Sequence, residues 1–531
     1  MPNIVVVNVT QTVGAAPATL QQSGALISQG ATNTTSGTAS LLTQLSDLTP
    51  LLTGTKAITS MSWSGSVVTV TTTSPHGFTV SDTIYLTITG VTPAGYNGTF
   101  LCTITGASTF TYPLSSNPGS VTVQGVYTPE DVAELVAMAT TFFAQGSNLS
   151  VYVLELGPGN ANDGVTALTA YITANPNSNY TAGAAGYFYA YVVPRTWDGN
   201  SSFLAMLATF EATTARTYFF ITTTLATYTN YTNLMKCAFT LIECPVYGTW
   251  SANALTAISY SGGVVTATTT TAHGVAVGQW FQISGVTPTG YNGWWQAQLG
   301  TTGSTLVYNV PSALGAESVL GTLVASLYSS AGIPSTEFSV AAAFWRLLNY
   351  NPSAANLVTP FAFGYVTGVT PFPTRGNNAL LTTLKAAYTN IIGTGAEGGI
   401  SNTIILWGTT EDGHDATYWY SVDWVQINSD LMLANAIING SNNPQNPLYY
   451  DQNGINRLQA VEQQVMKNAI AFGLALSPVT VTAVPFAQYV VQNPTDYPAG
   501  IYRGLAVSYT PQRGFTQIVF YVNVTSFPAA G

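Results

Sequence analysis

Charge is what this sequence has least of. Only 11 Lys and Arg and 21 Asp and Glu occur in 531 residues, so charged side chains make up 6% of the chain, where about 25% is usual for a soluble domain. No run of four basic residues occurs, which leaves no raw material for a surface that tracks phosphates, and nucleic-acid binding is excluded. Cysteine is nearly absent as well. Cys102, Cys237 and Cys244 form neither a disulfide framework nor a Cys-x-x-Cys zinc pair, and Cys237 and Cys244 read as small core residues. No uninterrupted apolar run reaches the ~20 residues that a membrane span requires. The N-terminus lacks a basic stretch followed by an apolar segment and cleavage site, so no signal peptide is expected and the chain reads as made in the cytoplasm.

Aromatic residues fill the gap: 30 Tyr, 22 Phe and 10 Trp, with 49 Gly and abundant Thr, Ser and Asn. Disordered chains are charge-rich and aromatic-poor, so this one folds. A surface this neutral has little repulsion to keep copies apart and is expected to be covered by other copies of itself.

An internal repeat stands out. Trp63-Ser-Gly-Ser-Val-Val-Thr-Val-Thr-Thr-Thr73, His76-Gly77 and Gly90-Val-Thr-Pro-Ala-Gly-Tyr-Asn-Gly98 recur as Tyr260-Ser-Gly-Gly-Val-Val-Thr-Ala-Thr-Thr-Thr270, His273-Gly274 and Gly285-Val-Thr-Pro-Thr-Gly-Tyr-Asn-Gly293. Apolar and Thr positions alternate with the period of a half-buried strand, and Asn-Gly in each copy predicts a tight hairpin turn. Two small all-β modules are predicted, at 58–125 and 257–323. Elsewhere the pattern differs. Val151–Leu156, Tyr187–Val193 and Thr217–Thr222 are continuous apolar strands separated by helical sequence, the signature of β-α-β units.

A helix precedes the first of these strands, with Thr128 as N-cap, Pro129 in its first turn, Gly146 at its end, and Val132, Leu135, Val136, Ala139 and Phe143 facing inward. Ile455, Leu458, Val461, Val465, Ala469, Phe472 and Leu476 predict a long amphipathic helix after Asp451. The fold class is therefore α/β (α+β): a discontinuous core with a partly parallel sheet, two inserted all-β modules and terminal β-strand arms. The divisions are 1–57 (arm and start of core), 58–125, 126–256 (core), 257–323, 324–511 (rest of core) and 512–531 (C-terminal arm).

Candidate chemistry is sparse. His76 and His273 occupy equivalent turns, so duplication accounts for both. Glu411, Asp412, His414 and Asp415 form the densest polar cluster, either a metal site or a solvated turn. Gly157-Pro-Gly159 to Gly164 lies where phosphate loops occur, yet lacks the Gly-Lys-Ser/Thr ending. No Gly-x-Ser-x-Gly occurs, and neither an enzyme nor a cofactor is expected. The ends are both β-prone: Ile4, Val5, Val6, Val7 and Val9, then Ile518, Val519, Phe520, Tyr521, Val522 and Val524. They either pair within one core sheet or add as strands to neighbouring subunits.

From 334 onward come Gly368-Val369-Thr370-Pro371, the run Leu380–Asn390, Gly408-Thr409-Thr410-Glu411-Asp412-Gly413, Asp423-Trp424, Gly454-Ile455 and a β-rich close. This pattern resembles the core of bacteriophage contractile tail sheath proteins, over about 60% of the chain and outside the β modules. The resemblance implies a structural subunit of the virion tail, not an enzyme. By the same resemblance it would stack as hexameric rings around a tail tube, lace to its neighbours by terminal arms, and contract to drive the tube through the host envelope. The implied partners are further copies of itself, the tail tube protein, and baseplate and tail terminator proteins, with no nucleic acid and no membrane insertion. The low charge departs from the partly electrostatic sheath–tube contact expected of the family. Two rival readings remain. One is another tail or baseplate component. The other is a carbohydrate-binding adhesin using Trp280, Trp294 and Trp295, where the first module has Tyr85, Thr99 and Phe100.

Overall fold

A computed structural model describes residues 20–146, 149–175, 188–211, 216–231, 235–243, 253–273, 275, 280–310, 314–324, 336–372, 378–395 and 402–515. Strands β1 (Gly24–Ser28) and β2 (Ala39–Leu42) begin the core. Then β3 (Lys56–Ser64), β4 (Val67–Thr72), β5 (Thr83–Thr92), β6 (Gly98–Gly106), β7 (Thr109–Pro113) and β8 (Val123–Pro129) close into a barrel. The core resumes with helix α1 (Glu130–Ala144), β9 (Val151–Glu155), α2 (Ala161–Ala174), β10 (Ala190–Val192), α3 (Ser201–Glu211), β11 (Tyr218–Thr223) and β12 (Ala238–Ile242).

The second module follows: β13 (Asn253–Ser261), β14 (Val264–Thr269), β15 (Trp280–Ser284), β16 (Gly293–Gln296), β17 (Thr305–Asn309) and β18 (Thr322–Val324) form one six-stranded sheet. Next are α4 (Ser339–Leu348), α5 (Asn378–Ala386), β19 (Asn390–Gly395), β20 (Asn402–Leu406), α6 (Ala416–Ser441) and α7 (Gln452–Ala471). A two-stranded sheet of β21 (Ala475–Ala483) and β22 (Leu505–Pro511), with α8 (Phe486–Gln492) between its strands, ends the described chain.

The core sheet runs β2-β9-β1-β10-β11-β12-β19-β20; its six inner strands are parallel and its two edge strands antiparallel. The α/β (α+β) class, the partly parallel core sheet and the two inserted all-β modules read from the sequence are therefore observed, while the terminal arms lie outside the described residues. Residues of β1, β9, β10, β11 and β12 are buried throughout, as continuous apolar strands covered on both faces must be. One face packs Phe220 and Phe239 against Leu135, Met138 and Phe142 of α1 and Phe344 and Leu348 of α4. The other packs Ile27, Leu154 and Phe219 against Leu168 of α2 and Phe203 and Leu207 of α3. Each such aromatic or aliphatic side chain contributes about 1.5–3 kcal/mol by leaving water. A close approach is at Gly24, where a Cβ would stand 2.4 Å from the Phe344 ring, so Gly24→Ala would push α4 off the sheet.

Three local expectations are corrected. Asn97-Gly98 and Asn292-Gly293 are not the hairpin turns. Those are Gly65-Ser66 and Gly262-Gly263, two-residue loops with both φ positive, the mirror-image turn that matches strand twist. Asn97 instead acts as a surrogate strand: its side chain accepts from the Val91 N–H at 2.8 Å and donates to the Val91 carbonyl at 2.9 Å, and Asn292 does the same to Val286 at 2.9 and 2.7 Å. Thr128 does not cap α1, because β8 pairs it with Thr87 and runs into the helix through Pro129. The long amphipathic helix stops at Ala471, and Leu476 lies in β21, 45% exposed. Asp451 does cap that helix, accepting from Gly454 N–H at 2.7 Å.

Candidate functional site

Scarce charges are placed inside. At least eight of the 21 acidic residues are buried: Glu134, Glu155, Glu243, Glu411, Asp415, Asp423, Glu462 and Asp496. The surface is thus even more neutral than the composition. Glu155, at the end of β9, accepts from Ser28 Oγ (2.6 Å), Gly30 N (2.7 Å), Thr32 N (3.1 Å), Thr32 Oγ1 (2.7 Å) and Gly157 N (2.7 Å). One carboxylate therefore organises the loops after β1 and β9, in the way buried charges require. Arg195 meets Glu243 at 2.8 Å and gives its N–H to Glu134 at 2.6 Å. Asp423 pins α6 to the sheet by accepting from the hydroxyls of Tyr189 (2.8 Å) and Tyr218 (2.7 Å); burial pushes its carboxyl up to about 6. None of these roles was foreseen, since nearly all the partners lie far away in sequence.

The acidic turn between β20 and α6 is not solvated. Glu411 is fully buried; it accepts from Thr240 Oγ1, its Oε2 has no hydrogen-bond partner, and burial pushes its carboxyl up to about 8. Asp412 accepts from Thr410 Oγ1 (2.6 Å), His414 N (3.0 Å) and Trp419 Nε1 (2.8 Å), and its Oδ2 lies 3.0 Å from His414 Nδ1. Asp415 caps α6 through Thr417 N–H at 2.8 Å. Asp412 and His414 meet each other while Glu411 bonds Thr240 and Asp415 bonds Thr417, and among the described residues no three His, Cys, Asp or Glu side chains converge on a metal position.

At the loop from Gly157 to Gly164, the N–H groups that a phosphate would use are taken. Asn160 Oδ1 accepts from Asn162 N (2.8 Å) and Asp163 N (3.2 Å), and Asp163 accepts in return from Asn160 N at 3.0 Å. His76 and His273 are buried turn residues whose Nδ1 accepts from Phe78 N (3.1 Å) and Val275 N (3.0 Å). Burial lowers both histidine pKa values. Trp295 is no exposed platform: it is buried, stacked on Tyr308 at 5.3 Å, and donates to the Tyr291 carbonyl at 2.9 Å. Phe100 stacks on Tyr112 at 4.2 Å in the counterpart position. The side chains of Trp280 and Trp294 lie outside the described residues, as do Cys244 and the arms Ile4 to Val9 and Ile518 to Val524. Cys102 and Cys237 are buried free thiols.

What remains as a candidate site is an edge. Strands β21 and β22 pair only with each other among the described residues. Val479, Val481, Val507 and Tyr509 face the core, while Thr480, Thr482, Ala506, Ser508 and Thr510 face solvent. Neither strand holds a charged residue, although exposed edges in natural proteins are commonly blunted by Lys. Arg513, just beyond β22, lies over the Tyr418 ring at 4.9 Å. Exposed apolar side chains also crowd the distal half of α6: Leu431, Met432, Ile437 and Ile438, with Tyr449 beyond it.

No family model matches the chain, and no curated protein matches it. Solved structures to which it is similar include the sheath tail protein Lin1278 from Listeria innocua, 9% identical over 94% of this chain and 93% of that one, with a TM-score of 0.39. A score this low leaves the functional reading to rest on the chain itself.

Proposed function

We propose that this protein is the structural subunit of a contractile tail sheath in a virion tail. It would stack as hexameric rings around a tail tube, meet baseplate and tail terminator proteins at the ends, and contract to drive the tube through a host envelope. The observation that carries the reading is the uncharged β21–β22 sheet, which pairs with no further strand among the described residues. One face of this sheet packs on the core, and strands added from other copies would extend it sideways through main-chain hydrogen bonds. The segment from 515 to 525 has the composition for this, and it follows β22 closely in sequence. Exposed apolar residues on α6 and a surface almost without charge fit the same crowding by copies. Contacts that repeat head to tail without closing build a helical array. Strand-linked arms let rigid cores rotate between two packings.

Negative-stain electron microscopy of the recombinant chain tests this, with and without residues 516–531. The cut spares Gln512, whose N–H bonds the Leu474 carbonyl at 3.0 Å. Rings or tubes from the full chain and dispersed particles from the shortened one are expected. Monomers at high concentration in both samples would remove the reading.

A further inference from the structure

The core's parallel strands β9, β1, β10, β11 and β12 lie in that spatial order, so the connections reverse direction between β1 and β10. Open α/β sheets form a crevice at such a reversal, beyond the carboxyl ends of the strands. Here the crevice is roofed by the first barrel, which Asn160 Nδ2 ties down through Asp82 Oδ1 at 2.9 Å. A cleft of about 340 Å³ remains between barrel and core, within the usual range for small-ligand sites of about 300–1,000 Å³.

Its floor is locked. Gln29 Nε2 donates to the Asn160 carbonyl at 2.9 Å, and Gln29 Oε1 accepts from Trp197 Nε1 at 2.6 Å. Its walls offer neutral groups that both donate and accept: the hydroxyls of Thr83 and Thr196 and the amides of Asn162 and Asn200. Asn200 is held in place, donating to Asn162 Oδ1 at 3.1 Å and accepting from Phe203 N at 3.0 Å. Tyr85 and Leu101, from β5 and β6, supply an apolar side. Among the described residues that line the cleft there is no Lys or Arg, and Asp131 is the one carboxylate. An anion would meet no opposite charge there, and a divalent cation would find too few carboxylates.

We propose that this cleft binds a neutral saccharide. Sugar hydroxyls donate and accept at once and so match Thr and Asn groups of both kinds, while the C–H face of the ring packs on Tyr85 and Leu101. Such a site would give the protein a carbohydrate contact on its core, separate from assembly through the C-terminal sheet.

Saturation-transfer NMR on the full chain tests it, with glucose, galactose and N-acetylglucosamine at millimolar concentration and inorganic phosphate as the control anion followed by its own 31P signal. Transfer to at least one sugar, no phosphate binding, and loss of the sugar signal in Leu101→Arg are expected. Leu101 is 43% exposed, so this substitution fills the cleft without disturbing the barrel interior. Thr196→Val, at an exposed hydroxyl, should weaken the signal several-fold. No transfer to any of the three sugars, or transfer unchanged by both substitutions, would overturn the proposal.

Discussion

The two modules are built from one sequence template and end differently. Both have the Gly-x hairpin, the buried histidine turn and the asparagine clamp. In the first, the nine residues of β6 pair with β7 through Thr103–Thr111 and Ile104–Phe110, and the barrel closes. In the second, β16 stops after four residues and no ladder joins it to β17. Ile104 is 1% exposed; Leu299, 195 positions later and in the same place in the repeat, is 88% exposed. The residue after it explains the change. Where the first module has Thr105, the second has Gly300 with φ +105°, a conformation that turns the strand away. Shared turns thus specify the module, and a single stretch of strand decides whether it closes. Attachment differs too: β8 runs straight into α1, and Asp82 bonds Asn160, whereas strand β16 of the second module lies against α5.

The largest effect that would break this comparison is at a paired glycine. A Cβ on Gly125 would lie 2.4 Å from the Thr89 carbonyl oxygen at φ +68°, and one on Gly321 would lie 2.1 Å from that of Ser284. Either alanine should cost about 3–4 kcal/mol in its own module. Amide hydrogen exchange followed by mass spectrometry should then separate the two. Gly321→Ala should speed exchange in 253–324 alone, while Gly125→Ala should also loosen α1 and the sheet. Equal spread from both would mean that the two modules are coupled alike to the core.

How much of this was legible beforehand depended on sequence distance. Strands such as β9 and β11 and the two modules announce themselves through runs and repeats of adjacent residues. The organising carboxylates do not: Asp423 and Tyr189 stand 234 residues apart, and Glu155 and Ser28 stand 127 apart. No periodicity marks a lone Glu that folding will bury. Even within the repeat, the Asn-Gly dipeptide pointed to a hairpin, because its clamp to Val91 is visible only once β5 has bent back on itself. The acidic turn likewise read as either a metal site or a solvated turn, since the packing of Glu411 on Thr240, from a distant strand, leaves no local signal.

A second effect sharpens the contrast between modules through the core. With its folded value raised to about 8 against an ordinary 4.5, Glu411 contributes stability below pH 4.5 that is lost as pH rises toward 8. Glu411→Gln should therefore stabilise the core by about 2–4 kcal/mol at pH 8 and by little near pH 5. Urea titrations at the two pH values measure it. Exchange protection in the first barrel should rise with that of the core, and protection in the second should not.

The smallest effect concerns the histidines and has the opposite sign. Burial lowers the pKa of His76 and His273, so each module holds stability above the ordinary histidine value of 6.5 and loses it as pH falls below that. Acid should then loosen the two modules while it tightens the region around Glu411. The first module should be the more sensitive. Lys56, whose Nζ donates to the His76 carbonyl at 3.1 Å, adds a repulsive positive charge. The counterpart of Lys56 in the second module is the neutral Asn253, which donates to the Thr271 carbonyl at 2.8 Å instead. Exchange at pH 7 and pH 5, corrected for intrinsic rates, should show a greater acid-induced rise in 56–129 than in 253–324, and Lys56→Met should bring the two together. If the substitution leaves the gap unchanged, the difference comes from closure of the barrel and not from the charge beside its histidine.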